Sequence, residues 1–143
     1  MENLKIRVCT DHDLNLLAVL NKQLIEDEQF DSDMNVEQLR ERMKGFIHSN
    51  YKAYLFEDNS KTIGYALVDH SRKPLYIRHF FICRDVRRKG YGRTFFKKLL
   101  DFLKTDVIDI EVLTWNERGI GFWRALGFKE RSIYMRFDQK KMN

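Results

Sequence analysis

Arg87-Arg88-Lys89-Gly90-Tyr91-Gly92 separates an apolar run, Tyr76-Ile77-Arg78-His79-Phe80-Phe81-Ile82, from an amphipathic run that extends from Arg93 to Leu103. In the second run apolar residues recur at 95, 96, 99, 100 and 103, one face of a 3.6-residue period, so the unit reads strand, glycine loop, helix. Two glycines two apart at a helix start let the backbone turn until successive N–H groups point at one spot, and the positive end of the helix dipole adds to them. Such a spot takes an anion. Seven basic residues from Arg84 to Lys98 stand against one acid, Asp85, whereas the whole chain carries +5. The remainder is therefore slightly acidic. Basicity is concentrated where the loop presents its donors, which favours a polyphosphate ligand over general stickiness. Neither G-x-x-x-x-G-K-[ST] nor G-x-G-x-x-G occurs, so the signatures of nucleoside triphosphate and dinucleotide sites are missing.

Length and composition bound the rest. A chain of 143 residues with one proline and seven glycines suits a single domain, residues 1–143, able to bury a core without disulfides or metal and leaving no room for a flexible linker. No apolar run approaches the roughly 18 residues of a membrane span. Met1-Glu2-Asn3-Leu4-Lys5 also lacks the apolar core of a signal peptide, so the cytoplasm is the expected compartment and no membrane partner is expected. Cys9 and Cys83 are expected as buried, reduced thiols, and His12, His48, His70 and His79 have no metal-type spacing, so no metal is expected.

Outward from the loop the elements follow from period and caps. Leu4, Ile6 and Val8 alternate with Lys5 and Arg7 as a first strand. Thr10 with Asp13 can cap a helix whose face is Leu14, Leu17, Leu20, Leu24 and Ile25, and Asn35 with Gln38 can cap a second one with Val36, Leu39, Met43, Phe46 and Ile47. Between them Glu26 to Asp33 holds five acids and no base, and reads either as a solvated bend or as an anionic wall for a cationic acceptor. Residues 51–56 and 62–69 alternate around Glu57-Asp58-Asn59-Ser60 as a hairpin, and Ser71-Arg72-Lys73-Pro74 turns the chain into the strand over 75–82. After the helix, the spacing predicts a strand over 107–114, a short helix from Asn116 to Gly127 and a closing strand over 128–137.

Arg87 to Gly92, an R-x-x-G-x-G between a strand and a helix, resembles the acyl-CoA pyrophosphate loop of the GNAT superfamily of N-acetyltransferases. Asn116-Glu117-Arg118-Gly119-Ile120-Gly121-Phe122-Trp123-Arg124-Ala125-Leu126-Gly127-Phe128 resembles a second element of that family, N-x-x-A-x-x-F-Y-x-x-L-G-F, with Gly119 in place of alanine and Trp123 in place of tyrosine. The two motifs and what lies between them span about a third of the chain. The resemblance implies the α/β GNAT acyl-CoA N-acyltransferase fold, a mixed and mostly antiparallel sheet in the order β-α-α-β-β-β-α-β-α-β, with acetyl-CoA as cosubstrate. It implies that the backbone of Phe80, Phe81 and Ile82 takes the pantetheine arm as an added strand would, one N–H polarising the thioester carbonyl. The pyrophosphate would sit on N–H groups from Arg88 through Lys89, Gly90, Tyr91 and Gly92 to Arg93, with charge from Arg87, Arg88 and Lys89. Asn116 would bond the arm or cap its helix, and Trp123 would pack over the arm.

The acceptor is then a primary amine, and at pH 7 removing its proton from a pKa of about 10.4 costs roughly 4.6 kcal/mol. Family members often meet that cost with a carboxylate or histidine on the strand before the loop. Counting back from Ile82 by twos, the positions facing the acceptor are Phe80, Arg78 and Tyr76, and His79 points to the opposite face. Tyr76 can relay a proton, and Arg78 can bind a carboxylate or order a neighbouring acid. Attention moves to Glu28 in the acidic stretch, held by Arg78, as the group that orients the amine or draws its proton through water. With Trp123 unable to serve as an acid, the leaving thiolate would be protonated by water, Tyr91, Tyr134 or the amine's own proton. The leading reading is N-acetylation of a cationic small molecule or peptide amine by direct attack in a ternary complex, since neither cysteine forms a visible Cys-His pair. The alternative is a non-catalytic acyl-CoA-binding sensor. No nucleic-acid partner is expected, because the phosphate loop accounts for the basic residues. A homodimer is compatible with the chain.

Overall fold

The computed structural model describes residues 3–141. Its elements are β1 (Leu4–Val8), α1 (Leu14–Glu28), α2 (Val36–Ile47), β2 (Tyr51–Asp58), β3 (Lys61–Asp69), β4 (Leu75–Ile82), α3 (Tyr91–Leu103), β5 (Ile108–Ile110) and α4 (Glu117–Ala125), with single 3-10 turns at Asp11–Asp13, Arg84–Val86 and Gln139–Lys141. The strands form one sheet in the order β1-β2-β3-β4-β5, antiparallel except for the parallel pair β4–β5. No helix among the described residues is long and apolar enough to cross a membrane.

Alternation along the strands sorts the sheet into two cores. Ala53, Leu55, Tyr65, Leu67 and Phe81 pack against Leu14, Leu17, Leu20 and Leu24 of α1 and Met43 of α2. Tyr54, Phe56, Ile63, Ala66, Val68 and Ile77 face the other way, onto Phe95, Phe96 and Leu99 of α3 and Trp123 of α4. Aromatic rings dominate this second core: Phe95 stacks on Phe56 at 4.5 Å and on Phe80 at 4.9 Å between centroids. Burying each such ring contributes about 2–3 kcal/mol, so α3, which carries the glycine loop at its start, is held firmly to the sheet. Both expected capping boxes form, Thr10 with Asp13 ahead of α1 and Asn35 with Gln38 at the start of α2.

Four expectations are corrected. Glu26, Asp27 and Glu28 belong to the last turn of α1, which ends in left-handed Gln29 with φ 51°, and the bend begins only after them. The strand expected over 107–114 pairs only from Ile108 to Ile110. The register between β3 and β4 slips between Leu67 and Val68, leaving Arg78 as an extra residue in β4. His79 and Phe81 point to the α1–α2 layer and Phe80 and Ile82 to the α3–α4 layer, as the count back from Ile82 expects, but at the bulge Arg78 lies over Phe46 of the α1–α2 layer and Ile77 shares the layer of Phe80, so the two-residue count fails from Arg78 back toward Tyr76. Residues 128–137 form no strand, and all of 129–137 is exposed.

Candidate active site

The parallel ladder matches Leu75 with Ile108, Tyr76 with Asp109 and Ile77 with Ile110, and it stops there, one residue before the bulge. From His79 to Ile82 β4 remains paired with β3, while from Arg78 onward its other edge has no strand partner among the described residues. This opening contains Phe80, Phe81 and Ile82 and leads through the turn at Arg84–Val86 to the start of α3.

The loop keeps its shape through two left-handed residues, Arg88 at φ 64° and Gly90 at φ 83°. Gly90 caps α3 without a side-chain hydrogen bond, and the first amide of the helix to find a carbonyl is that of Thr94, 3.2 Å from the Gly90 oxygen. The N–H groups of Tyr91, Gly92 and Arg93 lie ahead of that point, where an α-helix offers them no internal acceptor. Gly92 has a different role from Gly90. A Cβ on it would lie 2.9 Å from Cε1 of Phe122, so its lack of a side chain lets α4 close against the first turn of α3. Gly119, in place of alanine, leaves room for Asn116, whose side-chain oxygen accepts from the Gly119 amide at 3.0 Å and caps α4.

The basic residues divide by role. Arg87 donates from Nε to the Ile82 carbonyl at 2.8 Å and from Nη2 to Asp27 at 2.5 Å, and Arg84 bonds Asp27, Glu26 and the Gln23 carbonyl. These two arginines fasten the loop to the end of α1. They also offset an unfavourable feature, three acids at a helix C-terminus whose dipole is already negative. Arg88, Lys89 and Arg93 are exposed and have no ion pair among the described residues, as is true of Lys97 and Lys98 further along α3.

Facing this opening from α1 is a cleft of about 240 Å³ lined by Asp27, Glu28, Gln29, Trp115, Asn116, Glu117 and Arg118. Trp115 spans it, its Nε1 donating to the Glu28 carbonyl at 3.1 Å. Burial, reinforced by the charge of Asp27, pushes the Glu28 carboxyl up to about 7. Burial pushes Asp27 in the same direction, but its hydrogen bonds to Arg87 and Arg84 prevail and hold it below the ordinary carboxylate range. Neighbouring carboxylates with diverging pKa values thus occupy one cleft, one fixed as an anion and one able to exchange a proton near neutrality.

The remaining expected site residues are placed as follows. Arg78 does not hold Glu28; its guanidinium lies 4.9 Å over the Phe46 ring and Nη1 is 3.5 Å from the Tyr51 hydroxyl. Tyr76 sits in the closed part of the ladder with Arg72 stacked on its ring at 4.0 Å, and burial raises its phenol. His79 bonds the Tyr65 hydroxyl at 3.0 Å, and burial with two nearby arginines pushes it down to about 3, so it is neutral at pH 7. Trp123 is enclosed by Phe80, Phe96, Phe122 and Phe128 at 4.8–5.6 Å, which makes it core rather than cleft wall. The Tyr91 hydroxyl donates to Asp58 at 2.6 Å, away from the opening. Tyr91→Phe is therefore expected to lower the melting temperature slightly while leaving acyl-CoA turnover within roughly twofold, measured by thermal unfolding and thiol release. Sequence reasoning missed Trp115 and the Asp27–Arg87 tie. Its available signal was a large aromatic immediately ahead of the capping Asn116.

Sequence and structure comparisons agree with this geometry. The model of the acetyltransferase (GNAT) domain matches residues 10–138. Among solved structures, the chain resembles a possible acetyltransferase from Clostridium difficile 630, with 17% identity, TM-score 0.79 and coverage of 96% of this chain and 98% of that one. It also resembles a predicted acetyltransferase with acetyl-CoA from Clostridium acetobutylicum, with 15% identity, TM-score 0.73 and coverage of 97% and 98%. A ribosomal-protein-alanine N-acetyltransferase from Brucella melitensis biovar Abortus 2308 shares 12% identity at TM-score 0.70, covering 94% and 99%. A search of curated protein sequences returns no match. A family match over nine-tenths of the length, on a mixed sheet that opens beside a glycine loop, establishes that the chain belongs to the GNAT acetyltransferase domain family.

Proposed function

We propose that the protein transfers an acetyl group from acetyl-CoA to the primary amine of a cationic small molecule, by direct attack within a ternary complex. The observation that carries this reading is the juxtaposition of three parts: the unpaired β4 edge from Arg78 to Ile82, the amide-rich start of α3, and the cleft holding Glu28. The residues fit the cosubstrate. Exposed Arg88, Lys89 and Arg93 and the first-turn amides of α3 would hold the diphosphate, and the backbone of Phe80, Phe81 and Ile82 would take the arm through groups other than the Ile82 carbonyl occupied by Arg87. When bound, acetyl-CoA supplies the activated thioester. Glu28, ionised above about pH 7, accepts the ammonium proton of the acceptor directly or through water and leaves the amine lone pair free. Asp27, Glu28 and Glu117 outweigh Arg118 around the cleft, which favours a cation over an anion.

A second reading, a non-catalytic acyl-CoA sensor, draws on one observation: Trp123 is enclosed and the Tyr91 hydroxyl is committed to Asp58, so neither offers an acid to the leaving thiolate. Thiol release from acetyl-CoA with a panel of polyamine, aminoglycoside, peptide and anionic amines separates the two. Turnover restricted to cationic amines supports transfer. Saturable acetyl-CoA binding with no release above the blank supports the sensor.

A further inference from the structure

Residues 128–137 are at odds with a self-contained domain. Ile133, Tyr134, Met135 and Phe137 are 78, 78, 85 and 76% exposed, although Ile133, Met135 and Phe137 alternate as one face of a strand does. Such a row left in water is costly and invites pairing. The segment leaves α4 through Gly127, left-handed at φ 106°, with Phe128 seated in the aromatic core and Glu130 held by Arg124. Beyond Glu130 Arg136 donates to the Tyr134 hydroxyl at 3.3 Å, and its charge is met by Asp138 and by Asp31 in the bend after α1.

The same chain carries an edge that lacks such a strand. β5 closes the sheet on β4 alone, so its outer edge is unpaired among the described residues, with Ile108, Ile110 and Val112 only half-buried around it. Charges match as well. From Thr105 to Asn116 the chain has three acids, Asp106, Asp109 and Glu111, and no base, whereas Lys129, Arg131 and Arg136 leave the segment basic. None of these three acids has an ion pair among the described residues.

We infer that two copies of this chain exchange their C-terminal segments, residues 131–137 of each pairing as a sixth strand along the outer edge of β5 in the other. The partner is a second copy because the open edge and a segment that suits it, in alternation and charge, are both present on this chain, while Ile133, Tyr134, Met135 and Phe137 stay exposed instead of covering that edge. An exchange of identical segments between two copies is two-fold and covers both edges at once. Two aromatic and two aliphatic side chains from each copy bring roughly 1,400 Å² into the interface before the covered surface is counted, above the ~1,000 Å² of a specific interface. The added strand also backs the short β5 that forms one wall of the opening beside β4.

The test is amide hydrogen exchange on the full chain at concentrations spanning the dimer–monomer transition followed by sedimentation, with a chain ending at Glu130 and a synthetic peptide of residues 128–141 as controls. Exchange of segments predicts a dimer whose amides at 108–112 and 131–137 are protected together and lose protection at least tenfold on dilution to monomer. It further predicts a monomeric truncated chain that binds the peptide saturably. Protection of 131–137 that survives dilution to monomer would mean that the segment closes its own sheet, and would overturn the inference. A dimer that persists in the truncated chain, or a truncated chain that ignores the peptide, overturns it equally.

Discussion

Glu28→Gln is expected to lower kcat/KM for acyl transfer by about 10²–10⁴ and to make the protein more stable at pH 8. The two effects share one cause. Burial beside ionised Asp27 raises the Glu28 carboxyl to about 7, so the folded state holds its proton more tightly than the unfolded chain does. That contribution is fully present below the unfolded value, near 4.5, and is lost as pH rises through 7. Gln keeps the shape, abolishes the base and removes the cost of a half-buried anion. Because the group is partly open to solvent, the gain at pH 8 is on the order of 1–3 kcal/mol, a few degrees in melting temperature, and it vanishes by pH 4. The parent's kcat/KM should rise with pH through a midpoint near 7, and the variant's residual rate should lack that step. An unchanged pH profile, or equal stability at pH 8, contradicts the assignment.

Gly92→Val is expected to weaken acetyl-CoA binding by about 10–100-fold, read by calorimetry. The new Cβ would lie 2.9 Å from Cε1 and 3.1 Å from Cζ of Phe122, a ring fixed against Trp123 at 4.8 Å and Phe80 at 6.0 Å. Relief requires α4 or the first turn of α3 to move, and moving that turn misaims amides whose bonds to a charged oxygen contribute about 1.5–3 kcal/mol each. Phe122→Ala in the same chain should restore at least tenfold of the loss. Failure of that rescue would show that the Cβ acts directly on the ligand instead of through α4.

The comparison of pattern with fold is instructive at particular residues. Both capping boxes and the face of α3 at 95, 96, 99 and 100 were legible because each depends on neighbours within one turn. Arg78 was misassigned as a holder of Glu28, and Arg78 and Tyr76 were wrongly set on the face of Phe80, because a single extra residue in β4 inverts a two-residue count and leaves no mark on composition. Arg87 looked like a phosphate ligand, yet its partner Asp27 lies 60 positions away, a separation that local spacing cannot report. Residues 128–137 carry a genuine strand pattern, but alternation specifies a face to bury and says nothing about whose sheet receives it. The acids of Glu26 to Glu28 read as a loop run and form instead the negative end of a helix, tolerated because Arg84 and Arg87 cross to meet them.

The seating of a diphosphate on the first turn of α3 is tested most directly by titrating acetyl-CoA into isotopically labelled protein and following backbone amide resonances. Saturable shifts at residues 88–93 together with 80–82, concentrated in the amides and absent from the α2 surface, are the predicted result. Saturable binding that leaves the amides of 88–93 unmoved, or no binding at millimolar acetyl-CoA, would contradict it.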